Sequence, residues 1–180
     1  MIITINGMPG SGKTTLARAI ARKYGLKFYS VGNIRRAIAS FFCLTIDEFN
    51  KIGERHNFTD VFVDEMFKHC IKDNAVIDGR LAWWLFPKSI KILLLCNTKI
   101  AAERIFKAKR KSEKAYKSIK EVEREIRERI TSDIKRYKKY YGIKNLYDIN
   151  NYDIAIDTSN IDKKEMIKLA IDVLERFIKN

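Results

Sequence analysis

At 180 residues with 46% hydrophobic side chains, the chain has one domain's length and enough apolar residues for a core, which argues against disorder and against a multidomain assembly. The formal charge of +14, from 36 basic and 22 acidic residues, points to anionic partners: either nucleic acid or polyphosphates bound side by side. No apolar run reaches the length of a membrane span, and the first residues lack the layout of a secretion signal, so a cytoplasmic protein with no membrane partner is expected.

The first apolar run, Met1-Ile2-Ile3-Thr4-Ile5, predicts a strand over 2–6. Gly7-Met8-Pro9-Gly10-Ser11-Gly12-Lys13-Thr14 then spells G-x-x-x-x-G-K-[ST], with Thr15 next and a helical pattern over 13–24. This is a phosphate-binding loop in its strand–loop–helix setting. Its backbone N–H groups converge on a phosphate, and the helix N-terminus adds a positive dipole end. Lys13 is expected to reach the β- and γ-phosphates of a nucleoside triphosphate, and Thr14 to hold Mg²⁺ through its hydroxyl.

A second strand is predicted over 27–30, followed by Ser30-Val31-Gly32-Asn33-Ile34-Arg35-Arg36 at a helix start. A hydroxyl, a glycine and paired arginines suit a second phosphate, since the arginine fork binds its oxygens two at a time. A capped helix with solvent-exposed arginines is the alternative. Helical patterns follow near 33–42, 46–56 and 59–72. Asp60 and Asp64 share one face of the third, either to meet a sugar or base or simply to be solvated.

Residues 75–78 predict a third strand ending in Asp78-Gly79-Arg80. In open α/β sheets this end borders the ligand crevice, so the acid and the arginine are candidate substrate contacts. Trp83 and Trp84 follow, one expected in the core and one toward the crevice. A fourth strand over 90–96 leads to a helix near 98–110 carrying Arg104. On the helix expected over 118–141, Arg129, Asp133 and Arg136 share a face, as a phosphate clamp or as an exposed ion-paired surface. The basic runs 107–120 and 135–144 interleave with apolar positions and read as solvated helix faces. A fifth strand over 153–157 and a helix over 162–178 complete the chain.

Alternation of strands and helices predicts a three-layer α/β fold with a five-stranded parallel sheet. Residues 31–73 and 106–128 exceed simple crossovers and read as a binding arm and a lid within one domain. The three cysteines, Cys43, Cys70 and Cys96, imply no disulfide framework, and Cys43, His56, His69 and Cys70 match no structural-zinc spacing.

Taken in this order, the pieces resemble the cytidylate kinases, most closely their short archaeal-type branch. The resemblance spans nearly the whole chain. Besides the phosphate loop it rests on Ser30-Val31-Gly32-Asn33-Ile34 with Arg36, on Asp60 and Asp64, and on Asp78-Gly79-Arg80-Leu81 with Trp84. Ala102-Glu103-Arg104-Ile105, the Arg129/Asp133/Arg136 trio, Arg136-Tyr137 with Tyr141-Gly142-Ile143, and Tyr152 through Ser159 carry the rest.

It implies a P-loop NTPase fold whose 31–73 segment binds the acceptor nucleotide and whose 106–128 segment is a lid. It also implies transfer of a phosphoryl group from ATP to CMP or dCMP with Mg²⁺; separately, a monomer is expected. Arg36 and Arg80 would hold the acceptor phosphate, with Ser30 and Asp78 placing sugar or base. Arg129 and Arg136 would stabilise the transferring group, Asp133 would orient them or touch nucleotide, and Arg104 would serve in the lid near the donor.

The chain departs from the family pattern at Ala108, where a second lid arginine is common, and at Ile130, where an acid is common. It also departs at Leu81, where bacterial-type members carry a base-reading aspartate. UMP or AMP is the alternative acceptor. A nucleic-acid-associated ATPase is the alternative class, although no helicase, RNP or helix-turn-helix signature accompanies the charge.

Overall fold

The computed structural model describes residues 1–108 and 116–179. Five strands, β1 (Ile2–Gly7), β2 (Lys27–Ser30), β3 (Ala75–Asp78), β4 (Ile90–Leu95) and β5 (Ile154–Asp157), form one parallel sheet in the order β2-β3-β1-β4-β5. The helices are α1 (Lys13–Tyr24), α2 (Val31–Phe41), α3 (Ile46–Arg55), α4 (Phe58–Cys70), α5 (Ala82–Leu85), α6 (Thr98–Ala108), α7 (Ile119–Tyr141) and α8 (Lys163–Lys179).

Both faces of the sheet are covered over its three central strands, which is why β1, β3 and β4 are apolar without alternation, whereas the edge strand β5 alternates buried and exposed positions. Val76 packs with Leu16, Ile20, Ala170 and Leu174 on the α1/α8 side. Its neighbours Ala75 and Ile77 pack with Val63 and Phe67 of α4 on the other. Successive side chains of one strand thus serve opposite layers.

Register sets the site. Ser30 and Ile5 both pair with Asp78, and Gly7 pairs with Leu94, so the carboxyl ends of β2, β3 and β1 open at one edge of the sheet. The phosphate loop, Ser30 and Asp78 emerge there together.

Local chemistry fixes the element ends. The Ser30 hydroxyl accepts the Asn33 N–H, so α2 begins at Val31, two residues before the periodicity places it. Thr45 and Glu48 form a reciprocal capping box at the start of α3. Gly142, at φ 70°, closes α7. The single turn α5 is too short for periodicity to mark; burial of Trp83 and Leu85 secures it. β4 stops at Leu95, and Cys96 lies just beyond it, still buried.

Of the lid expected over 106–128, residues 109–115 lie outside the described residues, and from Ile119 onward the segment is already α7. No helix among the described residues is long and apolar enough to cross a membrane.

Candidate active site

The loop between β1 and α1 is pinned from behind. A Cβ at Gly7 would sit 2.3 Å from the Leu94 carbonyl oxygen, so only glycine lets the loop lie this close to β4. Met8 donates its N–H to that same carbonyl at 3.1 Å. Gly7 and Met8 therefore anchor the loop, while residues 9–15 line the cleft in front of it. Gly12 holds φ 94° at the N-cap of α1, turning the chain into the helix.

The Lys13 ammonium lies folded across the loop, donating to the Met8 carbonyl at 2.8 Å. Burial pushes its pKa down to about 7, partly offset by Asp78 and reinforced by the nearby charges of Arg80 and Arg129. A lysine this starved of counter-charge calls for an anion. Thr14 donates its hydroxyl to Asp78 Oδ2 at 2.6 Å.

Beyond the loop runs a ladder of alternating charge. Arg35 of α2 pairs with Asp60 of α4 at 2.6 Å, and Arg136 of α7 grips both oxygens of Asp60 at 2.8 Å. Arg136 also donates to Asp133 at 2.6 Å, and the other oxygen of Asp133 meets Arg80. Asp60, Asp133 and Arg136 are each no more than 2% exposed. Charges so deeply buried persist only when paired and hydrogen-bonded, as these are. The solvated readings of Asp60, Asp64, Asp133 and Arg136, all four buried, therefore fail. The spacing alone does not show that α4 and the β3 end pack on this face. The lysines of the same helix behave as expected: Lys135, Lys138 and Lys139 are not buried.

Asp64 is 7% exposed and accepts the Tyr141 hydroxyl on Oδ2. Arg36 turns to Asn33 Oδ1 at 2.7 Å beside Gly32. Arg104 donates to the carbonyls of Thr158 at 2.6 Å and Ile161 at 3.1 Å. It therefore braces the β5–α8 connection at the cleft edge, where the resemblance implies a lid residue.

These groups border a single cleft of about 440 Å³. Ser30, Gly32, Arg35, Arg36, Asp60, Asp64, Asp78, Gly79, Arg80, Arg104, Arg129 and Arg136 all line it. Asp133 does not; it lies behind Arg80 and Arg136 and fixes their planes. Eight basic and four acidic side chains line the cleft, so part of the +14 charge is concentrated where an anion would enter.

Sequence reading missed Ile46 and Asn50 on the cleft wall, although their spacing of four puts both on one face of α3. Trp83 packs in the core against Tyr152, with ring centroids 5.5 Å apart. Trp84 faces outward against Tyr141 and Lys68, and neither tryptophan lines the cleft. Among the described residues no group of three or more histidine, cysteine, aspartate or glutamate side chains gathers as a metal site.

The fold recurs in solved structures. A shikimate kinase from Bacteroides thetaiotaomicron superposes with a TM-score of 0.64 at 16% identity, covering 100% of this chain and 99% of that one. A shikimate kinase from Aquifex aeolicus gives 0.58 at 21%, covering 97% and 96%. These likenesses establish the P-loop kinase fold.

Sequence relatives are nearer. A protein named cytidylate kinase from Methanocella arvoryzae is 37% identical, over 98% of this chain and 99% of its own. One of the same name from Methanocaldococcus jannaschii is also 37% identical, over 98% and 100%. The model of the cytidylate kinase-like family matches residues 2–160, from the first strand through the β5 end that carries the Arg104 brace. With the phosphate loop, the arginine ladder and the 31–73 segment all inside that match, the chain belongs to the cytidylate kinase-like family.

Proposed function

We propose that the cleft transfers the γ-phosphoryl group of ATP to CMP or dCMP, giving ADP and CDP or dCDP. The observation that carries this reading is one cleft holding two separate cationic sites within electrostatic reach of each other. Lys13 and the loop form the first, and Arg80 and Arg129 lie close enough to depress the Lys13 pKa. Two sites of that kind suit two phosphate groups facing each other. The full-length relatives named cytidylate kinase support the choice of acceptor.

The chain's residues then divide the work. The loop N–H groups and Lys13 hold the donor phosphates. Arg36 and Arg80 hold the acceptor phosphate, and Arg129 and Arg136 face the charge that develops in transfer. The buried Nε atoms of Arg80 and Arg136 have no hydrogen-bond partner among the described residues. Asp60 and Asp133 hold the guanidinium planes, so little reorganisation is needed during the reaction.

An acceptor phosphate oxygen attacks the γ-phosphorus as the bond to the bridging β-oxygen breaks, and ADP leaves with that electron pair. The attacking oxygen is already anionic near neutral pH, so no strong general base is required. Thr14 Oγ1 and Asp78 Oδ2, 2.6 Å apart at the loop, are hard oxygen donors that fit Mg²⁺. When bound, the ion supplies neutralisation of the β- and γ-oxygens.

The test is product formation from Mg-ATP with CMP, dCMP, UMP, AMP and GMP offered separately. CDP or dCDP as the fastest product supports the reading. A purine diphosphate as the fastest product, or ATP hydrolysis indifferent to every monophosphate, contradicts it.

A further inference from the structure

Four carboxylates line the cleft, and three are already committed. Asp60 gives both oxygens to arginines. Asp78 accepts from Thr14 beside Lys13, at the phosphate end. Asp162 accepts the N–H groups of Lys164 and Glu165 at the start of α8.

Asp64 differs. Its Oδ2 takes the Tyr141 hydroxyl, which fixes the carboxylate plane, and the Tyr141 ring is in turn braced by Trp84 at 5.1 Å. Its Oδ1 accepts no hydrogen bond from the described residues and is not sealed in protein, so a positioned acceptor remains available at the cleft wall. It stands on α4, near Arg35 and Asp60 of the arginine ladder. The apolar flanks of Ile46, Leu85 and Tyr137 line the same cleft and suit a flat ring.

We propose that Asp64 reads the acceptor's base, its Oδ1 accepting the exocyclic amino N–H that cytosine presents and uracil replaces with a carbonyl. This rests on the kinase reading above and adds how one pyrimidine is chosen over the other. Cytosine offers a donor to a held acceptor, whereas uracil sets oxygen against oxygen and leaves the buried acceptor unpaired. Burial pushes the Asp64 pKa up to about 6; the Tyr141 hydrogen bond opposes this, Asp60 adds to it, and Arg35 and Lys68 oppose it. At pH 8 the group is therefore the carboxylate the contact requires.

The test measures kcat/KM at pH 8 for CMP, for UMP and for the pyrimidin-2-one monophosphate that lacks the 4-amino group. Wild type and Asp64→Asn are compared. In wild type, removing the amino group should lower kcat/KM by about 10- to 100-fold, the range for a hydrogen bond to a charged group. In Asp64→Asn that difference should largely vanish, and the CMP-to-UMP ratio should fall by a similar factor, because the new amide N–H donates to the uracil carbonyl.

Equal losses for all three substrates, or an unchanged ratio, would overturn the proposal and give Asp64 a merely structural role. The wild-type analogue comparison stands even if Asp64→Asn fails to fold: equal use of CMP and the amino-free analogue would also overturn it. Failure of wild type to phosphorylate CMP at all would instead remove the kinase reading.

Discussion

Arg136 on α7 grips both carboxylate oxygens of Asp60 on α4 at 2.8 Å, and both residues are 2% exposed. This bond ties the helix that carries Arg129 to the arm expected to carry the acceptor. The two halves of the proposed reaction are thereby held in one geometry.

Asp60→Asn should test that tie. The substitution leaves Arg35 and Arg136 buried beside a neutral amide. Removing one partner of a buried pair typically destabilises by about 3–5 kcal/mol. The denaturant midpoint should fall accordingly with an unchanged slope. A loss below about 1 kcal/mol would mean that the pair is not held as described.

Gly53 makes a sharper case. Alanine in place of glycine within a helix normally stabilises by about 0.5–1 kcal/mol. Here the added Cβ would lie 2.7 Å from Thr59 Oγ1, 3.2 Å from Asp60 Oδ2 and 3.4 Å from Arg136 Nη1. Gly53→Ala should therefore destabilise, by about 1–3 kcal/mol, and raise the acceptor KM. Thermal unfolding with acceptor titration reads both, and a gain in stability would show that α3 has room to move off the pair.

Lys13 should take up a proton when ATP binds. Its pKa is depressed to about 7 chiefly by burial, and phosphate oxygens beside the ammonium would return it toward its ordinary range. ATP affinity should then weaken as pH rises through 7 to 9, with uptake of about one proton per ATP at pH 8. Calorimetry in buffers of different ionisation enthalpy measures this directly. Binding without uptake at pH 8 would show Lys13 already charged or remote from phosphate.

Arg104 braces the carbonyls of Thr158 and Ile161. Arg104→Ala should loosen the β5–α8 connection and raise the KM for ATP by about tenfold, the effect of one lost charged hydrogen bond, with a smaller change in kcat. A fall in kcat of about 100-fold at unchanged KM would instead place its guanidinium on the transferring group.

Much of the fold is legible in the amino-acid sequence. The phosphate loop carries its own context, and apolar runs mark the strands, most plainly the central β1, β3 and β4, which are buried on both sides. Asp78-Gly79-Arg80 can be placed because strand ends border the crevice. What spacing does not encode is which helix packs on which. Asp133 and Arg136 at positions i and i+3 look the same on a solvated surface as beneath α4, and only the family resemblance separates the two. Asp60 gives no sign that both its oxygens are taken, nor Gly53 that it leaves space for an ion pair on neighbouring helices. Those facts belong to long-range contacts, such as the one joining residues 60 and 136.

The most direct measurement follows the γ-phosphorus itself. Protein supplied with γ-labelled ATP, Mg²⁺ and CMP should place the label in CDP, one for each ADP formed, with little free phosphate. Label released as inorganic phosphate, at a rate that ignores CMP, would contradict phosphoryl transfer between two nucleotides in this cleft.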